Sequence, residues 1–195
     1  MSPTLPLATL ADRVRAAPAR LGPTRLVCVD GPAGSGKTRV AGRLAAALGP
    51  GTTVLHMDDL YAGWTPVGAF ARLAAGVLRP LAAGHPGAYH RYDWHAGRFE
   101  AASTPVPVPD VLVVEGCGSC PRAADPWATL RLWVEAPAEL RLARGLARDG
   151  AALAPEWTRW QTVETALFAA EDTRARADLR IDGASTGDGG LVLLD

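Results

Sequence analysis

The stretch DGPAGSGKTR, residues 30–39, decides the fold, and it contains the only lysine of a 195-residue chain. The chain has 20 lysine and arginine residues together, and every one except Lys37 is an arginine. The apolar run TRLVCVD, residues 24–30, precedes this stretch and predicts a buried strand, while residues 37–48 predict a helix. The single lysine therefore lies in a glycine-rich turn that joins a strand to a helix.

This turn, GPAGSGKT at residues 31–38, matches the phosphate-loop pattern G-x-x-x-x-G-K-[ST]. Its glycines allow the backbone to curl so that N–H groups face phosphate oxygens, and the following helix adds its positive N-terminal end. A lysine brings a compact charge to the β- and γ-phosphates, where the broad fork of an arginine would fit poorly. The predicted ATP-binding residues are Gly31, Ala33, Gly34, Ser35, Gly36, Lys37, Thr38 and Arg39. We also expect the Thr38 hydroxyl to bind Mg²⁺.

Short apolar runs alternate with longer helical segments along the chain. The predicted strands are residues 24–30, 52–58, 110–116, 129–135 and 177–182. The predicted helices are residues 37–48, 66–83, 137–148 and 155–176. This alternation predicts an α/β fold in one domain, with a parallel five-stranded sheet covered by helices on both faces. Together with the phosphate loop, it indicates the three-layer sandwich of P-loop kinases, with a small helical lid at residues 137–160.

Three further segments carry expectations about structure. Residues 103–110 are so rich in proline that we expect an extended connector and neither a helix nor a strand. Residues 183–190 predict a flexible turn, and the LVLL that follows predicts an added edge strand. Residues 1–22 predict a helical lead-in, because Asp12 and Arg13 interrupt the apolar stretch that a signal peptide needs.

Composition argues against several classes of partner. The net charge is zero, so the whole molecule does not attract nucleic acid or a membrane surface, and no apolar run is long enough for a membrane span. Cys28, Cys117 and Cys120 suggest neither a disulfide framework nor a zinc site, and we expect reduced thiols. A cytoplasmic protein is consistent with these features.

Acidic residues follow two of the predicted strands. Asp58, in LHMDDLYAGW at residues 55–64, stands at a strand's carboxyl end, where parallel sheets bind ligands. It could accept a proton from a substrate hydroxyl. Asp59 is a second candidate, and both could instead cap the next helix. Glu115 follows the apolar run of VLVVEG, residues 111–116, and could approach Mg²⁺ or its water shell, unless it is merely a solvated turn residue.

Three arginines of the helix at residues 137–148 share one face, because they are spaced at i, i+3 and i+7. Such a face could fold over the phosphates and neutralise charge during transfer. On this basis Arg141 is an expected ATP-binding residue, and Arg144 and Arg148 are expected catalytic residues. A solvated basic face is the alternative.

Aromatic and polar side chains are concentrated in AYHRYDWHAGRF, residues 88–99. Aromatic faces could stack on a planar acceptor, and the polar groups could hydrogen-bond its edge. The candidate residues are Tyr92, Trp94, His95 and Arg98. The alternative is an aromatic lid or core edge without substrate contact, and the four tryptophans after residue 120 suggest packing.

These stretches together resemble the uridine kinase group of phosphate-loop kinases. LHMDDLYAGW is similar to that family's Asp-x-x-Tyr motif, with Asp58 and Tyr61 at the matching positions. RYDWHAGR resembles its nucleoside-pocket stretch, and ADLRIDG resembles the late strand near the adenine of ATP. Gly145 stands where the family has one of two lid arginines. The resemblance implies ATP- and Mg²⁺-dependent phosphorylation of a nucleoside-like hydroxyl, with Asp58 as general base and Tyr61 in the substrate site.

Other functions stay open at this point. A nucleoside monophosphate kinase of cytidylate type would need arginines for the acceptor's phosphate, and Arg91, Arg98 and Arg159 are candidates. A kinase for another alcohol, such as a sugar, vitamin or antibiotic, fits the same motifs. An ATP-binding switch protein would lack a small acceptor. We expect a small-molecule partner, no nucleic acid, no membrane, and a homo-oligomer as one arrangement typical of the family.

Overall fold

A computed structural model describes residues 3–185 and 190–195. Its strands are β1 Thr4–Leu5, β2 Arg25–Asp30, β3 Thr52–His56, β4 Gly87–Asp93, β5 Arg98–Val106, β6 Val111–Glu115, β7 Ala128–Glu135, β8 Leu179–Asp182 and β9 Leu191–Val192. Its α-helices are α1 Leu7–Ala16, α2 Lys37–Leu48, α3 Ala69–Leu73, α4 Arg79–Ala82, α5 Ala138–Asp149, α6 Ala154–Glu171 and α7 Thr173–Arg176. A π-helical turn, Ala74–Leu78, joins α3 to α4, and a 3₁₀ turn, Met57–Asp59, follows β3.

Five strands form the central sheet in the order β3-β6-β2-β7-β8, and every neighbouring pair is parallel. The strand before the phosphate loop, β2, lies in the middle, where five of its six residues are buried. All five predicted strands are present, and the α/β fold class is confirmed. Because the strands are parallel, the residues that follow them meet at one edge of the sheet.

Alternate residues of the central strands enter two separate apolar layers. Leu26 and Cys28 pack with the α3–α4 segment and with Trp160 of α6. Val27 and Val29 face the opposite way and pack with α1 and α2. Since successive side chains of a strand point to opposite faces, this division places helices on both sides of the sheet. The predicted three-layer arrangement is therefore present.

A two-stranded antiparallel hairpin, β4 with β5, stands apart from the central sheet. The expectation of an irregular connector at residues 103–110 is wrong for residues 103–106, which belong to β5. Pro105 lies opposite Ala88 in this hairpin. A strand paired on one side only tolerates proline, because the missing N–H can fall on the unpaired edge.

The expected C-terminal edge strand pairs with the beginning of the chain. β9 runs antiparallel to β1, and Leu193 forms an isolated bridge with Ile181 of β8. Leu5 and Leu191 are both buried in the layer that contains α1 and α2. The turn predicted at residues 183–190 lies partly outside the described residues.

Two predicted helices contain irregularities. The helix expected at 66–83 appears at residues 69–82 and includes the π-helical turn. The helix expected at 155–176 is interrupted at Asp172, whose φ of 47° is left-handed. Asp tolerates this conformation better than most residues, which allows α7 to begin immediately after α6. Within the described part of the chain, no helix combines the length and hydropathy needed to cross a membrane.

Candidate active site

The phosphate loop, residues 31–38, curls at the carboxyl end of β2. Its three glycines have positive φ, namely 141° at Gly31, 76° at Gly34 and 101° at Gly36. A Cβ at Gly34 would lie 2.4 Å from the backbone oxygen of Arg141, so the loop touches the backbone of α5. The glycines are therefore required both by backbone conformation and by close approach.

Lys37 lies within the loop and is 8% exposed. Its Nζ donates a hydrogen bond to the Pro32 carbonyl at 2.9 Å and lies 3.6 Å from Cys117 Sγ. Burial alone would lower the pKa of Lys37, but nearby Cys117 and the carboxylates of Glu115 and Asp30 outweigh it and raise the pKa. The lysine is therefore a fixed positive charge inside the loop.

Thr38 and Glu115 are hydrogen-bonded, with Thr38 Oγ1 donating to Glu115 Oε1 at 3.0 Å. The same carboxylate oxygen lies 2.6 Å from His56 Nδ1. This hydrogen bond is the main reason why the pKa of His56 is raised. Two oxygen groups that could contribute to Mg²⁺ binding thus lie side by side, and His56 orients the carboxylate.

Asp30 supports the loop from beneath and is a residue that the sequence reasoning missed. Its carboxylate, 1% exposed, accepts hydrogen bonds from the N–H groups of Gly31, Gly118 and Cys120 at 2.7, 3.0 and 2.8 Å. Burial raises its pKa from 3.8 to about 6, although these hydrogen bonds oppose the shift. Asp30 therefore joins the phosphate loop to the turn after β6.

The two aspartates after β3 have different surroundings. Asp59 accepts hydrogen bonds from Tyr89 at 3.0 Å and from Arg91 at 3.1 Å, so the hairpin engages its carboxylate. Asp58 is exposed in the turn after β3, and desolvation followed by repulsion from Glu115 raises the pKa of its carboxyl. Of the two carboxylates, that of Asp58 is the more suitable proton acceptor.

Two arginines of α5 contact the phosphate loop directly. Arg144 Nη1 donates to the carbonyls of Gly34 at 3.2 Å and Gly183 at 3.1 Å. Arg141 Nη1 approaches the Ala33 carbonyl at 3.4 Å. Arg39, on α2, also donates to Gly183. A purely solvated basic face does not describe this part of α5.

Arg148, the third arginine of α5, has a different environment. Its guanidinium binds Asp149 through two hydrogen bonds of 2.7 and 2.9 Å and lies over the ring of Trp157. The side chain is 67% exposed, so the solvated-face alternative applies at this one position. The charge of Arg148 also lowers the pKa of Asp58, so Arg148 and Asp58 lie on the same side of the molecule.

Glu164 of α6 is a second residue that sequence reasoning did not single out. Its buried carboxylate accepts hydrogen bonds from the Ala33 N–H at 2.8 Å, from Trp160 at 2.8 Å and from Arg141 at 3.2 Å. Cys117 Sγ also lies 3.4 Å from it. The sequence predicts a packing role for the four tryptophans. The signal for Glu164 was its position one helical turn after Trp160, where its carboxylate accepts the indole N–H.

The hairpin brings aromatic rings next to Asp58. Tyr92 and Trp94 meet edge to face, with ring centroids 5.4 Å apart, and Trp94 Nε1 donates to the Asp58 carbonyl at 3.2 Å. Trp64, which the sequence reasoning left unassigned, lies between Trp94 and the α6 residue Trp157, at centroid distances of 6.0 and 6.3 Å. Trp94 is 43% exposed, so part of this aromatic surface is open.

Three other predicted substrate residues occupy different positions. Tyr61 is 2% exposed and donates its hydroxyl to the Cys117 carbonyl at 3.0 Å, so the structure assigns it to the core beneath the site and not to an open pocket. His95 is exposed in the turn of the hairpin, where its N–H binds Asp93. Arg98 is exposed at the start of β5 and lines a cavity of about 440 Å³ along that strand.

The loop fits a triphosphate on two observations of the structure. The Ser35 hydroxyl is buried and has no hydrogen-bond partner within the described residues; the first N–H groups of an α-helix such as α2 have no acceptor inside the helix. Lys37 and Arg144 supply positive charge at the same place. Thr38 and Glu115 would supply oxygen ligands to Mg²⁺, and in sites of this kind phosphate oxygens and water complete the coordination.

The sheet order and the phosphate loop after the central strand define a parallel α/β fold, which solved structures of low sequence identity share. One similar structure is a protein described as a possible uridine kinase from Bacillus stearothermophilus. It has a TM-score of 0.63 and 19% identity, covering 89% of this chain and 96% of that one. Another is described as a fructose transport system kinase from Silicibacter sp. TM1040. It has a TM-score of 0.64 and 21% identity, covering 84% and 95%. No protein-family model and no curated sequence matches the chain.

Proposed function

We propose that the protein is a small-molecule kinase that transfers the γ-phosphate of ATP to a hydroxyl group of a nucleoside-like acceptor. The observation that carries this proposal is a juxtaposition at one edge of the sheet. There, Lys37 of the phosphate loop, the Thr38–Glu115 pair and the exposed Asp58 lie together. A phosphate-binding loop and a candidate base for a hydroxyl are the two parts that phosphoryl transfer to an alcohol needs.

Each part has a separate role in this reaction. The loop backbone and Lys37 hold the triphosphate, and Arg144 approaches the same loop from α5. Mg²⁺ held near Thr38 and Glu115 would neutralise phosphate charge. Asp58 accepts the proton of the acceptor hydroxyl as that oxygen attacks phosphorus. Its raised pKa makes it a stronger base than an ordinary aspartate and places its titration nearer to neutral pH.

The aromatic rings of the hairpin favour a flat acceptor that carries hydroxyl groups. Tyr92 and Trp94 lie beside the candidate base, and Trp94 is partly exposed. Stacking on such rings suits a nucleoside base. A sugar would use the same hydroxyl chemistry and would also pack against an aromatic face, so sugars are the second acceptor class to test.

A nucleoside monophosphate kinase is less well supported. The acceptor's phosphate would need free arginines, but Arg91 is paired with Asp59 and Arg159 is paired with Glu156. Arg98 lies on the outer strand of the hairpin. These three candidates therefore have separate environments and do not form one cluster.

The deciding experiment measures ADP release from Mg²⁺–ATP with a panel of acceptors. The panel contains uridine, cytidine, purine nucleosides, CMP, UMP and several sugars and vitamins, with Lys37→Ala as the blank. We expect stimulation by at least one unphosphorylated alcohol and none in the blank. Stimulation only by CMP or UMP would instead support a nucleoside monophosphate kinase. Tight ATP binding without any stimulation would favour an ATP-dependent switch protein.

A further inference from the structure

The pair formed by Glu164 and Arg141 holds a single residue of the phosphate loop from both sides. Glu164 Oε2 accepts the Ala33 N–H at 2.8 Å, while Arg141 Nη1 lies 3.4 Å from the Ala33 carbonyl oxygen. The two side chains are joined to each other at 3.2 Å. The Glu164–Arg141 pair therefore connects three parts of the chain, namely α5, α6 and the phosphate loop.

Burial makes this pair sensitive to change. The side chain of Glu164 is 2% exposed and that of Arg141 is 15% exposed. Removing one partner of a buried ion pair leaves an uncompensated charge, whereas removing both is often tolerated. Trp160 Nε1 and the Ala136 carbonyl hold the two side chains in place from outside the pair.

The hydrogen bonds of Arg141 also bear on its predicted role. Sequence spacing indicated a residue that binds ATP directly; in the structure Nε and Nη1 of the Arg141 guanidinium are engaged by the Ala136 carbonyl, the Ala33 carbonyl and Glu164. Arg144, one turn further along α5, is the arginine that reaches Gly34 at the middle of the loop. The two arginines therefore differ in what they contact.

We propose that Glu164 and Arg141 form a positioning pair that fixes the curvature of the phosphate loop at Ala33 and thereby sets the affinity for the triphosphate, without either side chain touching it. This inference rests on the proposed function, because it requires that the loop binds a triphosphate. Its physical basis is preorganisation: a loop already held in its binding shape loses less conformational entropy when the ligand arrives.

The test compares Glu164→Gln, Arg141→Met and the double variant with the wild type. Glu156→Gln is the matched control, because Glu156 lies on the same helix and forms a surface pair with Arg159. Calorimetry measures binding of Mg²⁺–ATP and of Mg²⁺–tripolyphosphate, with no acceptor present. Urea unfolding shows whether each variant is folded.

We expect each single variant to weaken both ligands by about tenfold, the scale of losses when orienting partners are removed. The double variant should bind each ligand no more weakly than the single variant with the lower affinity, because the effects of residues that act as a unit do not add. The control should stay within about twofold of the wild type. Equal losses for ATP and tripolyphosphate would locate the effect at the loop, whereas a merely structural role would lower stability and leave affinity unchanged.

Two results would overturn the inference. One is wild-type affinity in folded Glu164→Gln or, if that variant does not fold, in the double variant. The other is a loss in Arg141→Met that is much larger than in Glu164→Gln and adds to it, which would mean that Arg141 touches the triphosphate. If the wild type binds neither ligand, the proposed function itself fails. Normal binding by Glu164→Gln would leave that function standing.

Discussion

At the scale of single residues, the candidate site depends on carboxylates with different tasks. Asp30 and Glu164 are buried, and their carboxylate oxygens accept hydrogen bonds from backbone N–H groups of the phosphate loop and the adjoining turn. Glu115 accepts a hydrogen bond from Thr38, and Asp58 is exposed. Since Asp30 and Glu164 are only 1% and 2% exposed, an acceptor hydroxyl has no access to them, and the division between support and chemistry follows from burial.

Asp58→Asn tests the assignment of the base. We expect the variant to retain Mg²⁺–ATP binding but to lose at least about 10²-fold in acceptor-dependent turnover, the usual contribution of a general base. Steady-state kinetics with the best acceptor, together with ATP titration, would measure both quantities.

Asp59→Asn is the comparison for this experiment. Its carboxylate binds Tyr89 and Arg91, so the variant should mainly loosen the hairpin, and we expect a higher KM for the acceptor with a smaller change in kcat. A loss of kcat in Asp59→Asn with normal turnover in Asp58→Asn would show that the base is the other aspartate.

Asp30 predicts how stability depends on pH. Its pKa is about 6 in the folded protein against an ordinary value of 3.8, so folding takes up a proton between these values. The favourable contribution of Asp30 to the free energy of unfolding is fully present below pH 3.8 and is lost as the pH rises through about 6. A shift of this size corresponds to about 3 kcal/mol.

The measurement is urea unfolding of the wild type and Asp30→Asn at a series of pH values from 4 to 7.5. The free energy of unfolding of the wild type, minus that of the variant, should fall by up to about 3 kcal/mol as the pH rises. Asp12→Asn, at an exposed carboxylate of α1, serves as the control. A difference that is the same at every pH would contradict the prediction.

At the scale of secondary-structure elements, α5 and α6 are packed through an unusually close contact. A Cβ placed on Gly145 would lie 2.1 Å from the ring of Trp157. Trp157 is 2% exposed and also receives the guanidinium of Arg148 over its ring. The glycine at position 145 therefore has a steric reason, because the ring of Trp157 occupies the space that a side chain there would need.

Gly145→Ala and Gly42→Ala form a matched pair of tests. Both glycines lie inside helices, but nothing lies within 4 Å of a Cβ at Gly42. We expect Gly145→Ala to destabilise the protein by about 1–3 kcal/mol through overpacking. Gly42→Ala should instead stabilise it by about 0.5–1 kcal/mol. Urea unfolding measures both, and stabilisation by Gly145→Ala would show that α5 and α6 separate easily.

At the scale of the whole molecule, periodicity and the position of the phosphate loop were sufficient to predict the sheet and its three layers. Sequence reasoning failed where the partner of a residue lies far along the chain. Nothing local reveals that Glu164 contacts Ala33, that Tyr61 points into the core, or that Pro105 faces Ala88 across a hairpin. Such contacts depend on how elements pack, which spacing along one element does not encode.

Mg²⁺–ATP should stabilise the entire fold, because the phosphate loop joins β2, α2 and α5. At a ligand concentration of 100 Kd the gain is about 2.7 kcal/mol. For a chain of this length that corresponds to a rise in Tm of roughly 5–10 °C. Thermal unfolding with and without Mg²⁺–ATP measures the shift, and Lys37→Ala should abolish it. An equal shift in Lys37→Ala would place the nucleotide elsewhere.

The separation of the β4–β5 hairpin from the central sheet has an evolutionary consequence. The backbone hydrogen-bond ladder of the hairpin runs between its own two strands. Side chains such as Arg91 and Trp94 attach the hairpin to the turn after β3. Mutations at the exposed positions of the hairpin can therefore accumulate without disturbing the strands that carry the phosphate loop, whereas Val106 packs into the same apolar layer as Leu26 and Cys28. A lineage with this architecture can diversify one module while the other is inherited intact.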